Sequence, residues 1–414
     1  MIHFLHTADW QIGRQYGQFE DDDAAFLAQA RIDTVAAIAA LAVQRAVDAV
    51  LVAGDVFDTQ GVADRTILRL FDAMAAFNGP WIMIGGNHDA ALADSVWTRA
   101  RALGCLGGNI FAPEQLQAIP FAQGRAQALC APLTQRHTYD DVTAAFDSLD
   151  TESEFEFESD PDPQSQSETR ADAAVHRIGV AHGSIAGRLP DTIDSSNPIA
   201  PDRASRAKLD YLALGDWHGM LQIDSRTWYS GTPEPDRFRN NEAGNVLEVQ
   251  IEAPGAQPVV TPHAVGRYRW RQLDVSIDLR TDIDTLIHTL SQVEPQDVLK
   301  LDLSGTVSLA EWDRLQAAFA RASATARALR VYTDDLILNP DADDLAEVGV
   351  DGYVGIVADV LRTMQSEASD AQVPREALRL LLQYQREATR GTESGVANSV
   401  AGSADGGRDR VLAK

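Results

Sequence analysis

Side chains able to hold cations gather at a few points of this 414-residue chain: Asp9 and Gln11, Asp55 with Asp58, Asn87 with His88 and Asp89, His182, and Asp216 with His218. Carboxylates, an amide oxygen and imidazoles brought to one place make a mixed oxygen and nitrogen site suited to Mn, Fe or Zn, with Mg an alternative. A carboxylate shared by two such cations would hold them about 3.5–4 Å apart, the arrangement that hydrolyses phosphoryl esters by stabilising both the attacking and the leaving oxygen. Each cluster alone is a weak signal. Together, each following a predicted strand, they are hard to attribute to packing.

The elements that would position them follow from apolar spacing. Residues 2–6, 49–53 and 81–84 are short apolar runs that stop at polar or glycine-rich turns, while 22–47 and 62–77 have helical spacing. Strand, helix, strand, helix, strand implies right-handed crossovers and a partly parallel sheet covered by helices. Ligands gather at the carboxyl ends of such strands, and there stand Asp9, Gly54-Asp55 and the run Gly85 to Asp89. Residues 209–214 read as a further buried strand, and 227–230, 246–251 and 258–263 as antiparallel strands that complete the first domain. Near 266 the pattern restarts as a small α/β module, with strands at 271–279, 297–303 and 328–332 and helices at 282–293 and 309–322. Helices follow at 353–366 and 374–389. The expected domains are therefore 1–265, 266–348 and 349–390, with a disordered tail at 391–414, which is rich in Gly, Ser and Ala.

Composition bounds the function. Hydrophobic residues at 45% and charged residues at 23% fit a globular protein. The net charge of −26 speaks, taken alone, against nucleic acid, whose phosphates call for cationic surface. Residues 140–169, however, carry eleven acidic side chains and no basic one, and 150–171 reads as a flexible acidic loop away from the active face. The rest of the chain is still acidic, so weak DNA binding alone and reliance on cations and a more basic partner are expected. Cys105 and Cys130 have no C-x-x-C partner and read as buried free thiols of a reducing compartment. The longest apolar run, 35–43, has nine residues against the roughly 20 of a membrane span, and the start lacks signal-peptide character. A cytoplasmic protein with no membrane contact is expected.

GDVFD at 54–58 and GNHD at 86–89 resemble the motifs of calcineurin-like metallophosphoesterases. LHTADWQIGRQYG at 5–17, AHG at 181–183, LGDWHG at 214–219 and YSGTPEP at 229–235 narrow the resemblance to SbcD-type DNA repair exonucleases. That resemblance implies a four-layer α/β fold, a β-sandwich flanked by helices, with a small C-terminal α/β capping domain. It implies a two-metal DNA exonuclease or endonuclease, with Mn first among the candidate metals. It also implies an SbcC-like coiled-coil ATPase partner and a homodimer contact through 62–77 and 94–103. Leu378, Leu381, Leu382 and Tyr384 would offer the ATPase an apolar docking face. One cation would be held by Asp9, Gln11, Asp55 and His218, the other by Asp55, Asn87, His182 and Asp216. His88 would be general acid or electrostatic stabiliser, oriented by Asp89.

Two residues depart from the family's usual pattern. Gln11 stands where His is usual, and Gly215-Asp216-Trp217-His218 replaces Gly-His-x-His. Asp216 adds negative charge and favours harder cations. Gln11 is a poorer ligand, so the first cation site is expected to be weaker or altered in selectivity. Two other functions compete: a small-molecule phosphoesterase or nucleotidase, which the acidic composition favours, and a weakly active assembly subunit. Bland roles are assigned to His3 and His6 (core), His137, His176, His263 and His288 (surface), Trp10 and Trp217 (packing as readily as base stacking) and Asp58 (holding a loop). Arg14, Arg237 and Arg239 are candidate phosphate contacts.

Overall fold

Six largely buried residues open the chain as β1 (Ile2–Thr7), followed by α1 (Asp21–Arg45), β2 (Ala49–Val52), α2 (Asp64–Met74), β3 (Trp81–Met83), α3 (Val96–Ala102) and β4 (Ile110–Phe111). This is a computed structural model, and it describes residues 1–149, 174–187, 197–238, 241–339, 353–367, 373–382 and 384–385. The acidic stretch 150–171, Arg239 and the tail 391–414 lie outside the described residues. The chain divides into two compact units, Met1–Trp270 and Arg271–Lys414.

In the first unit β1 to β4 run parallel. A second set follows: β5 (Gln117–Phe121), β6 (Ala126–Ala131), β7 (His176–His182), the short pair β8 (Ser184–Ile185) and β9 (Pro198–Ile199), α4 (Arg203–Arg206), β10 (Tyr211–Gly215), β11 (Leu221–Gln222) and β12 (Thr227–Tyr229). Then β13 (Asn245–Ile251) and β14 (Val259–Ala264) return to the first sheet, antiparallel as expected. The two six-stranded sheets have the orders β14-β13-β1-β2-β3-β4 and β11-β12-β10-β7-β6-β5. One expectation fails: β12 lies parallel to β10. The short β11 reverses the chain first and pairs antiparallel with β12, so β12 re-enters alongside β10 in the same direction.

Strand parity builds the layers. In the first sheet Leu5, Val50, Val52 and Met83 face α1, α2 and α3, whereas Phe4, Leu51 and Ile82 face the second sheet. From that sheet Ala128, Cys130, Ile178, Val180 and Tyr211 meet them, while Leu129, Leu212 and Leu214 pack outward on Phe146 and Ala204. Helices, sheet, sheet, helices: the four-layer α/β sandwich is present. By length and composition α1 is apolar enough to cross a membrane, which the nine-residue run alone did not signal. In this fold Val35, Ile38, Ala39 and Ala42 of α1 belong to the core.

The second unit contains β15 (Arg269–Ile277), α5 (Arg280–Ser291), β16 (Asp297–Val307), α6 (Leu309–Thr325), β17 (Ala328–Leu338), α7 (Tyr353–Glu367) and a helix over 373–382. The start of α6 is set by a capping box in which Ser308 Oγ accepts from Glu311 N and Glu311 accepts from Ser308 N. Leu378 and Leu382 are buried in this unit's own core with Leu301, Leu315 and Phe319, so most of the apolar face expected to dock a partner packs internally.

His6 links the two sheets below the polar loops. Its Nε2 donates to Leu214 O at 3.2 Å, and its Nδ1 therefore accepts from Tyr211 Oη at 3.0 Å. Burial pushes its pKa down to about 3. The folded state thus keeps His6 neutral while the unfolded chain takes up a proton below pH 6.5, so this stability is present above pH 6.5 and is lost as pH falls towards 3. Between pH 6 and 4 the wild type should lose up to about 1.4 kcal/mol per pH unit more than His6→Gln. Urea unfolding at several pH values measures this, and parallel pH profiles would refute it.

A candidate metal centre where the two sheets meet

Parallel strands of both sheets end on the same side, and their last residues and following loops carry the polar clusters. The loop after β1 runs beside the loop after β2: Asp9 N donates to Gly54 O at 3.0 Å and Gln11 N to Asp55 O at 2.8 Å. The carboxylate of Asp9 reaches across to the second sheet and accepts from Asp216 N at 3.1 Å. Asp9, Gln11, Asp55 and Asp216 all have positive φ (53°, 44°, 52° and 104°), a region that side chains other than glycine rarely adopt and that concentrates at functional sites. Close approach is also required at Gly86, where a Cβ would overlap Asp55 Oδ1, and at Gly215, where it would overlap Ala53 O.

Asp9, Asp55 and His182 place ligand atoms within 4.8 Å of one another. His182 Nδ1 donates to Ala53 O at 2.9 Å, which orients the ring and leaves Nε2 facing the pocket. Around that nitrogen lie Asn87 Oδ1 at 3.0 Å, Asp55 Oδ1 at 3.5 Å and Asp216 Oδ1 at 3.8 Å. Neighbouring ligands at bond lengths of about 2.0–2.2 Å are separated by about 3 Å, so these acceptors suit one cation among them. Without a cation the Asn87 amide would have to turn its nitrogen inward, towards His182 Nε2 and both Asp55 oxygens at 3.0–3.2 Å.

The electrostatics agree with the donor set. Among the described residues no Lys or Arg pairs with Asp9, Asp55 or Asp216. Burial raises the Asp9 carboxyl to about 6, with Asp55 and Asp216 adding to the rise and His218 and His182 opposing it. Burial alone would lower His182, but Asp55, Asp9 and Asp216 together raise it to about 9. Buried like charges of this kind call for a bound cation.

His88 sits at the rim, its side chain 43% exposed. Its backbone N donates to Asp55 Oδ1 at 2.9 Å and its Nδ1 to the Asp58 carbonyl oxygen at 2.7 Å, while Nε2 stands 4.0 Å from Asp55 Oδ2. Asp89 does not orient this ring. Its two oxygens accept from Gly86 N (2.7 Å) and Phe57 N (3.1 Å), knitting the β2 and β3 loops together, and burial followed by the Asp55 charge raises it to about 7. The ring is positioned instead by the backbone of Asp58, whose side chain is 3.4 Å from Arg14.

Gln11 and His218 are together but do not face the cation pocket as free ligands. Gln11 Oε1 accepts from Arg14 at 2.7 Å and its Nε2 lies 3.0 Å from His218 Nε2. Trp10 is buried with its indole N–H on Thr7, a packing role. His176 is buried 3.4 Å from Asp210 rather than on the surface, because the start of β7 is covered. Sequence reading missed Asp236 and Ser184. Asp236 follows the YSGTPEP run and faces His218 at 3.4 Å, and Ser184 Oγ donates to Asp216 at 2.7 Å. Their proximity to quoted motifs was the available signal.

The calcineurin-like phosphoesterase family matches this chain over residues 2–240, which contains every residue of the centre. The chain belongs to that family. It is also 29% identical over 275 residues to SbcD of the nuclease SbcCD from Rhodobacter capsulatus, a match covering 56% of this chain and 62% of that relative. The chain therefore spans less than two thirds of the length of the curated relative it matches. A hydrolase of phosphoesters using divalent metal follows from family membership and fits the residues present.

Replacing Asp89 by Asn removes an acceptor from one of two buried backbone N–H groups, a loss of about 1–3 kcal/mol, and should weaken Mn(II) binding about 10- to 100-fold. Urea unfolding and calorimetric titration measure both. A variant with unchanged stability and metal affinity but reduced turnover would instead make Asp89 a partner of His88.

Proposed function

We propose that this chain is a metal-dependent DNA nuclease that hydrolyses phosphodiester bonds in DNA repair. The observation that carries the proposal is the convergence of Asp9, Asp55, Asn87 and His182 on one cation pocket, with His88 Nε2 at its open rim. A divalent cation held there neutralises charge on a phosphate oxygen and activates water. His88 supplies the proton-handling group: Nδ1 is fixed by the Asp58 carbonyl, so Nε2 is the atom presented to a leaving oxygen. The resemblance implies a second cation at Asp9, Gln11, Asp55 and His218, where the hydrogen bonding differs. The relative's printed identity as part of a nuclease supports DNA as substrate and an SbcC-like ATPase as partner. Tyr353, Ile356, Val360 and Met364, exposed at spacings of three and four along α7, support a protein partner. A homodimer through α2 and α3 rests on the resemblance.

With Mn(II) the full chain should degrade linear DNA, and His88→Ala should lower the rate about 10²- to 10⁴-fold with bound metal unchanged. Turnover of a chromogenic phosphomonoester with no DNA cleavage, even with the ATPase present, would favour the small-molecule reading and overturn this one.

A further inference from the structure

We propose that this chain holds one catalytic divalent cation, and that Gln11 and Arg14 occupy by hydrogen bonding the place where a second would sit. The orientation of the Gln11 amide decides it. Arg14 can only donate, so the atom it meets at 2.7 Å is the amide oxygen. The amide nitrogen is then the atom 3.0 Å from His218 Nε2. An amide nitrogen can only donate, so the His218 Nε2 lone pair is already engaged. Its ring proton belongs on Nδ1, which faces Asp236 Oδ2 at 3.4 Å.

The network is anchored on both sides. Asp236 is buried, with Arg14, Arg31 and Arg237 nitrogens each 3.4 Å away. Burial alone would raise its carboxyl, but His218, Arg31 and Arg14 hold it well below the usual carboxylate range. Arg31 in turn donates to Tyr16 Oη and Trp10 O at 2.9 and 2.7 Å. For Gln11 to ligate a cation through its oxygen, the amide would have to rotate and turn its N–H groups towards the Arg14 donors. The guanidinium charge opposes a divalent ion at the same point. Arg14 thus supplies a fixed positive charge beside a single-cation centre, within reach of a phosphate at the rim.

A histidine at position 11 has no amide to orient and can present a ring nitrogen beside His218. The wild-type chain dialysed against Mn(II) should therefore retain one ion per chain by mass spectrometry and give the spectrum of an isolated Mn(II) in electron paramagnetic resonance. Gln11→His should retain two and give an exchange-coupled spectrum. Two ions per wild-type chain with a coupled spectrum would overturn the proposal, as would one ion in a folded Gln11→His. If that variant fails to fold, the wild-type ion count and spectrum still decide. The proposal rests on the phosphoesterase site and not on DNA as substrate, and counting ions needs no substrate, so its failure and that of the nuclease reading are separable.

Discussion

Three buried or half-buried carboxylates, Asp9, Asp55 and Asp216, stand at the seam between two sheets with His182 as the basic side chain directly among them. Charges of one sign crowded out of water are tolerated only with a compensating cation, and much of the first unit serves that arrangement. Parallel strands from both sheets bring several loops and strand ends to one side. The backbone takes positive φ at four of the polar residues, and glycines stand where the sheets approach too closely for a Cβ. Asp89 ties two of the loops together, and Asp9 ties the first sheet to the second through Asp216 N. Strain in the loops is offset by the deep packing of Phe4, Leu51, Ile178 and Tyr211 beneath them.

Much of this was legible in the sequence because hydrophobic runs and polar punctuation coincide in the first hundred residues. β1, β2 and β3 are apolar enough to stand out, and each ends at a ligand-bearing turn. The edge of the second sheet was harder to see. In β6 the inward residues are Ala126, Ala128 and Cys130, small side chains that give little hydrophobic signal, and β5 alternates with a proline inside it. The direction of β12 depends on the two-residue β11, too short to leave a periodic trace.

In the centre itself, residue types were legible and hydrogen bonding was not. The GNHD run names His88 and Asp89 as neighbours, yet the peptide geometry sends Asp89 to Gly86 and Phe57 and leaves His88 to a carbonyl thirty residues away. Gln11 could be recognised as a poor ligand from its type. That its amide is committed in both directions depends on Arg14 one turn on and on His218 two hundred residues away. Pairings so distant in sequence are set by tertiary structure alone. The acidic composition is reinterpreted in the same way: part of it is the ligand set of the centre, where a cation converts a negative face into one that accepts phosphate.

Anomalous diffraction from crystals of the full chain grown with Mn(II) would locate the cation itself. One strong peak is expected, bounded by Asp9, Asp55, Asn87 and His182, with Gln11 still joining Arg14 to His218. A second peak of equal height between Gln11 and His218, or no peak in the pocket around His182, would refute a single-cation centre held at the seam of the two sheets.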